Sequence, residues 1–594
     1  MLELSTFLSR LRDAAGGQAW HTVTVIHAQG QIHAGGMSGA YRQSVEPRGG
    51  RSVTTYALGP ANVAKGFDGH DAWQRGPTGE VLVQDSEAAL QGACTEAWLN
   101  ARAYLFPDLD ETSMRILGER GDADGCYLAL HAHPAGGQPV ELWFDARTLL
   151  LDRTVQNFAG KDTTKRYADY RTVNGLMIAH RISSGHGDPR FDVVIELDHI
   201  VTVAKVDDAV FAKPVQVFDD VSFPGGGNSA TMPIELHNNH VFMTVAVNGV
   251  SLRFMLDTGG VNLITPEAAQ RAGLNIDGAL EVRGPGKHSV GAGFARVECL
   301  LVADSVLFER QLLRVIPVPG FDEVEGTSFD GTLGHEVFQR LAVRIDYAQG
   351  TLTMCQSGAL EERGEHLPLT FYAHLPAVDG VLDGVPGQFW LDTGNRNALT
   401  LWTPFVQAHR LEQRYDCSDT TVIGWGVGGC THGTVARAGQ LRLGAVPIDA
   451  PLLTIPQHGD GPTATRNVAG NIGGDLLRRF VLTIDYAQRA VWFAPNYAHG
   501  SAFLFDRAGM WINQVEDEFV VMTVLAGGPA EQAGLQVNDR ITTGAAMTLD
   551  AMRAMLRDPS QHTPLSLILK RDGACREVAL QLRDLVAPLW TGQM

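Results

Sequence analysis

Residues 254–274 read FMLDTGGVNLITPEAAQRAGL, and residues 389–411 read FWLDTGNRNALTLWTPFVQAHRL. Each begins with an apolar run, passes through Asp-Thr-Gly, places an Asn five residues beyond the Asp, and opens a helix at Thr-Pro. Thr-Pro is a start signal because a hydroxyl caps the first turn and proline lacks only an N–H that has no partner there. The likeness returns downstream, where GTLGHEVFQRLAVRIDYAQGTLTM (331–354) matches GNIGGDLLRRFVLTIDYAQRAVWF (470–493). From the Asp to the second Gly of these segments is 77 residues in one copy, Asp257 to Gly334, and 81 in the other, Asp392 to Gly473. Landmarks at near-constant offsets define a duplicated unit. Short β-rich runs between turn residues, such as HVFMTVAVNGVSLRFML (240–256) and AGQLRLGAVPIDAPLLTI (438–455), give each copy an all-β fold.

A single Asp-Thr-Gly is commonly a turn. Two copies, each after a buried-strand pattern in a duplicated unit, can bring Asp257 and Asp392 together across a pseudo-twofold axis. Carboxylates within hydrogen-bond reach share one proton and titrate apart. The ionised partner then takes a proton from water while the protonated one donates to a scissile carbonyl. Thr258 and Thr393 are expected to tie the two loops together, and Gly259 and Gly394 to let backbone N–H groups reach the carboxylates.

This constellation resembles the retropepsin-type aspartic proteases in the single-chain, two-lobe form of the pepsin-like enzymes. The resemblance covers residues 232–497. It implies two β-barrel lobes (233–360 and 361–497) and, in each, an apolar-apolar-Gly motif bracing the catalytic loop. Here that motif is Thr332-Leu333-Gly334 and, with one polar substitution, Asn471-Ile472-Gly473. It further implies flap hairpins, matched by GPGKHSVGAG (284–293) and GWGVGGCTHG (424–433). The position after Asp-Thr-Gly departs from the family's usual Ser, Thr or Ala: Gly260 offers no hydroxyl, and Asn395 could donate only from another geometry. The implied activity is an aspartic-type endopeptidase acting on peptide or unfolded protein, with no metal or organic cofactor. The other reading is a catalytically silent envelope protein that binds lipopeptides or unfolded segments.

Before the repeat, residues 1–217 carry strand-like runs at 21–33, 126–133, 139–145 and 191–197. The order FDGHDAWQR (67–75), WFDARTLLLDR (143–153), YADYRTVNGLMIAHRI (167–182) and VDDAVFAKP (206–214) resembles the outer-membrane lipoprotein carrier proteins (LolA-like). That likeness implies an antiparallel half-barrel, an acyl chain or lipopeptide as ligand, and a periplasmic setting; a scaffold with a filled interior is the alternative. Residues 218–232, FDDVSFPGGGNSATM, read as a linker and hinge. After the repeat, residues 502–586 resemble a PDZ domain of bacterial proteases, most strongly in GGPAEQAGLQVNDRI (527–541). Gly509, Met510 and Trp511 would then offer backbone N–H groups to a substrate's terminal carboxylate; a fixed packing module is the alternative.

The 594 residues are 44% hydrophobic and 19% charged, enough for several globular cores, and a net charge of −19 argues against a nucleic-acid stripe. No window approaches the apolar length of a membrane span. Apolar residues at Leu2, Leu4, Phe7, Leu8 and Leu11 predict a short amphipathic helix rather than a secretory signal, so either the protein stays inside or a leader is missing from the sequence. Seven cysteines show no CxxC pair and no zinc spacing. Cys417 and Cys430 either close a small loop or are two separate thiols. His335 follows the bracing glycine, but Gly474 holds that place in the second copy, so it reads as structural. Ser289 and Ser501 lack a GxSxG context. The expected molecule is mainly β: a half-barrel, two duplicated lobes and a PDZ domain.

Overall fold

The protein is described here from a computed structural model. It describes residues 3–586 apart from 107–111, 159–160, 186–188, 206, 283, 285, 287, 458–462, 464, 466–467 and 545. Leu2 of the expected N-terminal helix, Val206 of the carrier-like motif and Pro285 and Lys287 of the first hairpin lie outside the described residues. Strands dominate, mostly antiparallel, in five sheets with short helices between them. No helix among the described residues is long and apolar enough to cross a membrane.

The first sheet is an open meander of thirteen strands. Six run from Val25–Ala34 out to the edge strand Val81–Val83, and seven return from the other edge, Ser113–Gly121, to Val193–Val203, which pairs with Val25–Ala34 at the centre. The helix Leu4–Ala14 buries Phe7, Leu8 and Leu11, as its apolar spacing predicts. A second helix, Glu87–Asn100, lies between the two edge strands in sequence and is capped by Ser86. Phe7 meets Phe144 edge-on at 6.0 Å, and Trp98 packs on Tyr104 at 5.8 Å, so helices and sheet share one apolar core.

Each repeat builds its own sheet. In the first, strands His240–Val247 and Val250–Leu256 form a hairpin whose turn residues, Asn248 and Gly249, both take positive φ, as a two-residue primed turn requires. Val250–Leu256 then pairs in parallel with Gly331–Leu333, Leu256 opposite Leu333. In the second repeat Val385–Leu391 pairs in parallel with Gly470–Ile472, Leu391 opposite Ile472. The long offset between landmarks is therefore the path that returns the bracing motif to the strand feeding the Asp. The second landmark has its own role: Ala342–Asp346 and Phe480–Asp485 pair antiparallel at the centre of a six-stranded sheet to which both repeats contribute. Val343, Ile345, Leu482 and Ile484 are buried in the core beneath it.

Two sequence expectations change, and one open alternative is decided. The stretch 218–232 is not a free hinge: Val221–Ser222 adds to the first repeat's sheet, and Ser229–Pro233 pairs with Thr351–Cys355 at the edge of the shared sheet. Asp220 holds the buried Arg340 (2.7 Å), whose guanidinium lies 4.3 Å from the Phe218 ring centroid. Only the exposed glycines at its tip are open. At the first Thr-Pro, Thr265 caps the helix Pro266–Arg271, but at the second the helix begins one residue early, with Thr403 inside it and bonded to Pro456 O. Cys417 and Cys430 are free, as are the other five cysteines. Ser418 N–H bonds Val435 O, five residues along the strand from Cys430, and that offset of roughly 16 Å far exceeds the Cα separation a disulfide spans.

A five-stranded sheet over residues 510–580 ends the described chain, with helix Leu549–Arg557 burying Leu549, Met552 and Leu556 against it.

Candidate active site

The strand pairings deliver Asp257 and Asp392 to the end of parallel pairs in opposite repeats. Each is fixed by its bracing motif: Asp257 N–H bonds Leu333 O and Asp392 N–H bonds Ile472 O, both at 2.9 Å. The two loops then grip each other through their threonines. Thr258 Oγ1 donates to Leu391 O (2.8 Å) and accepts from Thr393 N–H (3.0 Å). Thr393 Oγ1 donates to Leu256 O (2.8 Å) and accepts from Thr258 N–H (3.0 Å). Both side chains are buried, so valine, equal in size, would strand two polar groups at either position and four if placed at both.

Gly259 N–H donates to Asp257 Oδ1 and Gly394 N–H to Asp392 Oδ1, each at 2.9 Å. The carboxyl of the opposite repeat occupies the space beside each glycine: a Cβ on Gly259 would lie 2.5 Å from Asp392 Cγ, and one on Gly394 2.5 Å from Asp257 Cγ. The carboxyl groups are within hydrogen-bond reach of each other, and Asp257 is pushed well above the ordinary carboxylate range, first by burial and then by the charge of Asp392. Behind the loops, Gly334 N–H bonds Asn262 Oδ1 (2.8 Å) and Gly473 N–H bonds Ala398 O (3.0 Å).

The position after Asp-Thr-Gly resolves differently in the two loops. Gly260 leaves its room to Asp257 Oδ2. Asn395 turns away and bonds Thr400 Oγ1 (3.3 Å). The outer oxygen of Asp392 is instead served by Asn471 Nδ2 at 2.6 Å, from the polar substitution in the second bracing motif. Its counterpart Thr332 points elsewhere, donating to Val261 O (2.7 Å). The two carboxyl groups are therefore held differently, Asp392 by a side-chain amide that Asp257 has no counterpart for.

The dyad opens into a cavity of about 380 Å³ between the repeats. Its walls are apolar: Met255, Ile316, Phe321 and Phe329 from the first repeat, Leu375, Trp390 and Trp402 from the second. Both Gly-rich hairpins roof it, through Gly284 and through Gly424 to Val427. Their tips are joined, Gly286 N–H to Val427 O (3.0 Å) and His288 N–H to Gly428 O (3.3 Å). Sequence offered two flap candidates; the structure pairs them.

Residues beyond the motifs complete the surroundings. His374 lines the cleft and is held neutral, its pKa well below the usual value, first by burial and then by His335 and Arg314. Its ring lies 5.2 Å from that of His335, which is buried between Glu80 (3.3 Å) and Glu336 (3.3 Å). Glu80 comes from the turn between strand Ala72–Arg75 and the edge strand Val81–Val83 of the thirteen-stranded sheet, 255 residues away. Beside it, Asp85 accepts from Phe371 N–H (3.1 Å) and pairs with Arg489. Nothing local in the sequence marks Glu80 or His374. Asn471 did carry a signal, a polar residue where a buried strand position is otherwise apolar.

In the C-terminal sheet, Gly509, Met510 and Trp511 sit at the start of the edge strand Met510–Val515. Two of the three N–H groups expected to receive a carboxylate already have one: Gly509 (2.6 Å) and Met510 (3.2 Å) donate to Asp506 Oδ2. Burial raises the Asp506 pKa to about 6.

No family model matches the chain, and no curated protein does. Solved structures share parts of its fold. An aspartic proteinase from Irpex lacteus is 11% identical, with 46% of this chain and 99% of that one covered at a TM-score of 0.31. A retropepsin-like aspartic protease from Rickettsia conorii is 18% identical over 23% of this chain and 97% of its own, at a TM-score of 0.18. A LolA superfamily protein from Nitrosomonas europaea is 14% identical over 36% of this chain and 99% of its own, at a TM-score of 0.26.

Proposed function

We propose that this chain is an aspartic-type endopeptidase, hydrolysing peptide bonds with a water held between Asp257 and Asp392. The observation that carries the reading is the threonine grip, which brings two carboxyl groups from separate loops within hydrogen-bond reach in a cavity wide enough for an extended peptide. Asp392, served by Gly394 N–H and Asn471 Nδ2, acts as general base on the water. Asp257 carries the proton and donates it to the carbonyl oxygen as the tetrahedral intermediate forms. When that intermediate collapses, Asp392 passes the proton it took from water to the leaving nitrogen, the C–N bond breaks, and the hydroxyl formed from the carbonyl oxygen returns its proton to Asp257, restoring the single-proton dyad. No metal or organic cofactor takes part. The aromatic and aliphatic walls select apolar side chains on both sides of the cut, and the paired hairpins must part to admit a chain.

The domain reading accompanies this function: a carrier-like domain over 1–217, lobes over 233–360 and 361–497, and a PDZ-like domain over 502–586 that captures substrate beside the cleft. The setting is periplasmic, as the carrier-like motifs imply. In this reading the first domain is a scaffold, since an acyl chain on its apolar face would have to displace Phe7, Leu8 and Leu11 from the core.

The test is incubation of the full chain with reduced, alkylated lactalbumin, followed by mass spectrometry of the fragments. Internal cuts between apolar residues are expected, blocked by one equivalent of a hydroxyethylene peptide that mimics the tetrahedral intermediate. Intact lactalbumin would refute the assignment.

A further inference from the structure

The wall of the catalytic cleft is mostly apolar, so a charge on it calls for a partner. The acidic groups there have theirs. The two dyad carboxyls face each other, and Glu325 is shared by Arg396 (3.4 Å), His240 (3.6 Å) and Asn238 Nδ2 (2.7 Å). Arg314 differs. It lines the same cleft, half-buried, from the end of strand Val306–Val315, where its backbone N–H bonds Asn262 O (2.9 Å). Its guanidinium has no side-chain hydrogen-bond partner and no carboxylate within ion-pair distance among the described residues.

The groups that feel the charge of Arg314 are Tyr56, His335 and His374, none of them an anion near neutral pH. The two carboxylates beside His335 are engaged elsewhere. Glu80 is held by His335 (3.3 Å) and Thr78 Oγ1 (2.5 Å), and Glu336 by His335 (3.3 Å) and Asn262 N–H (2.6 Å). His374 comes from the second repeat, lines the cleft and is neutral, so its ring can donate one hydrogen bond. Nor is an unpartnered guanidinium here the surplus of a basic protein, since the chain holds 47 Lys and Arg against 66 Asp and Glu.

We infer that Arg314, with His374 beside it, is a specificity-determining site that takes the side-chain carboxylate of an Asp or Glu in the bound peptide. A guanidinium serves a carboxylate by paired, charge-assisted hydrogen bonds and offers nothing comparable to a neutral amide. The strand of Arg314 is separated from the strand that feeds Asp257 by Leu263–Ile264 and Gly331–Leu333. Three strand spacings make about 14 Å, and an extended chain advances about 3.4 Å per residue. The acidic residue therefore lies a few positions from the cut, and the residues beside the cut remain apolar. Its distance from the cut rests on the peptidase reading; carboxylate selection by the cleft does not.

The test uses the full chain and short peptides with a central Leu-Phe, a fluorophore at the N-terminus and an amidated C-terminus, so that a side chain supplies the sole carboxylate. Glu, Gln or Lys is placed in turn at each flanking position. Binding is followed by anisotropy in the Asp257→Asn chain, which leaves bound peptides whole. At one position Glu should bind about tenfold tighter than Gln. Adding Arg314→Gln should abolish that difference, His374→Phe should shrink it, and Arg314→Glu should turn the preference toward Lys. Should Arg314→Gln fail to fold, Arg314→Met, suited to apolar neighbours, takes its place with the same expected result. Equal affinity for Glu and Gln at every position overturns the inference, as does a Glu preference that survives the loss of Arg314. Mass spectrometry of the same peptides with the wild-type chain reads cleavage separately. Preferred binding of Glu peptides with no cleavage keeps the carboxylate site and removes only the peptidase reading.

Discussion

Asn471 is the residue whose role differs most from its neighbours in the motif. Its amide donates to the outer oxygen of Asp392 while Thr332, at the matching place, bonds backbone. Replacing Asn471 by Leu withdraws the side-chain donor that holds the outer oxygen of Asp392 in place. A loss of roughly ten- to a hundredfold in kcat/KM is expected, against little change for Thr332→Val; equal rates for the two variants would remove the asymmetry. The dyad itself was legible because Asp-Thr-Gly is a local pattern repeated in a matched context. The answer to the departures at Gly260 and Asn395 was not, because the compensating donor comes from 79 residues downstream, in another strand.

At the scale of elements, the hairpins and the C-terminal groove each carry a prediction. A side chain on Gly286 would run into the backbone of Gly428, so Gly286→Val separates the tips. We expect about a tenfold fall in kcat/KM, carried chiefly by KM, with the melting temperature nearly unchanged. Asp506 sets a pH dependence of stability. Its pKa in the folded chain, about 6, lies above the ordinary carboxylate value because burial penalises the charge. The folded state therefore binds the proton more tightly, and its contribution is greatest below the unfolded pKa of about 4 and declines as pH rises through about 6. Wild-type chain should lose roughly 3 kcal/mol across that window, and Asp506→Asn should flatten the slope when denaturant unfolding is followed by the C-terminal sheet's Trp511. Turn chemistry and apolar spacing made strands, hairpins and the helix Leu4–Ala14 readable from sequence. Tip-to-tip pairing was not, since glycine-rich hairpins advertise closeness to something without naming it.

At the scale of the whole molecule, the thirteen-stranded sheet is fastened to the first repeat through Glu80 and His335. Burial opposes charge on both Glu80 and His335, yet Glu80 is lowered by His335, and His335 is raised by Glu336 and Glu80. Stability from Glu80 is present above its unfolded pKa and lost as pH falls through the folded one. Stability from His335 is present below its unfolded pKa and lost as pH rises through the folded one. Glu80→Gln leaves the histidine short of an anion and should destabilise the chain by about 3 kcal/mol, most visibly from about pH 5 to 7, as a lowered melting temperature. Equal melting of variant and wild type across that range would show that the sheet is not anchored through this pair. The duplicated unit could be read from its repeated motifs. How the rest of the chain is fastened to it could not, because Glu80, Asp85 and Asp220 find their partners across 120 to 404 residues of chain.

The whole account stands on one proton divided between Asp257 and Asp392. Its most direct test is the rate at which Asp257→Asn, folded as judged by an unchanged circular dichroism spectrum, cleaves reduced and alkylated lactalbumin beside the wild-type chain. The account predicts a loss of about a thousandfold or more, since the variant keeps the cleft and hairpins but has no acid to give. Cleavage at the wild-type rate would contradict it.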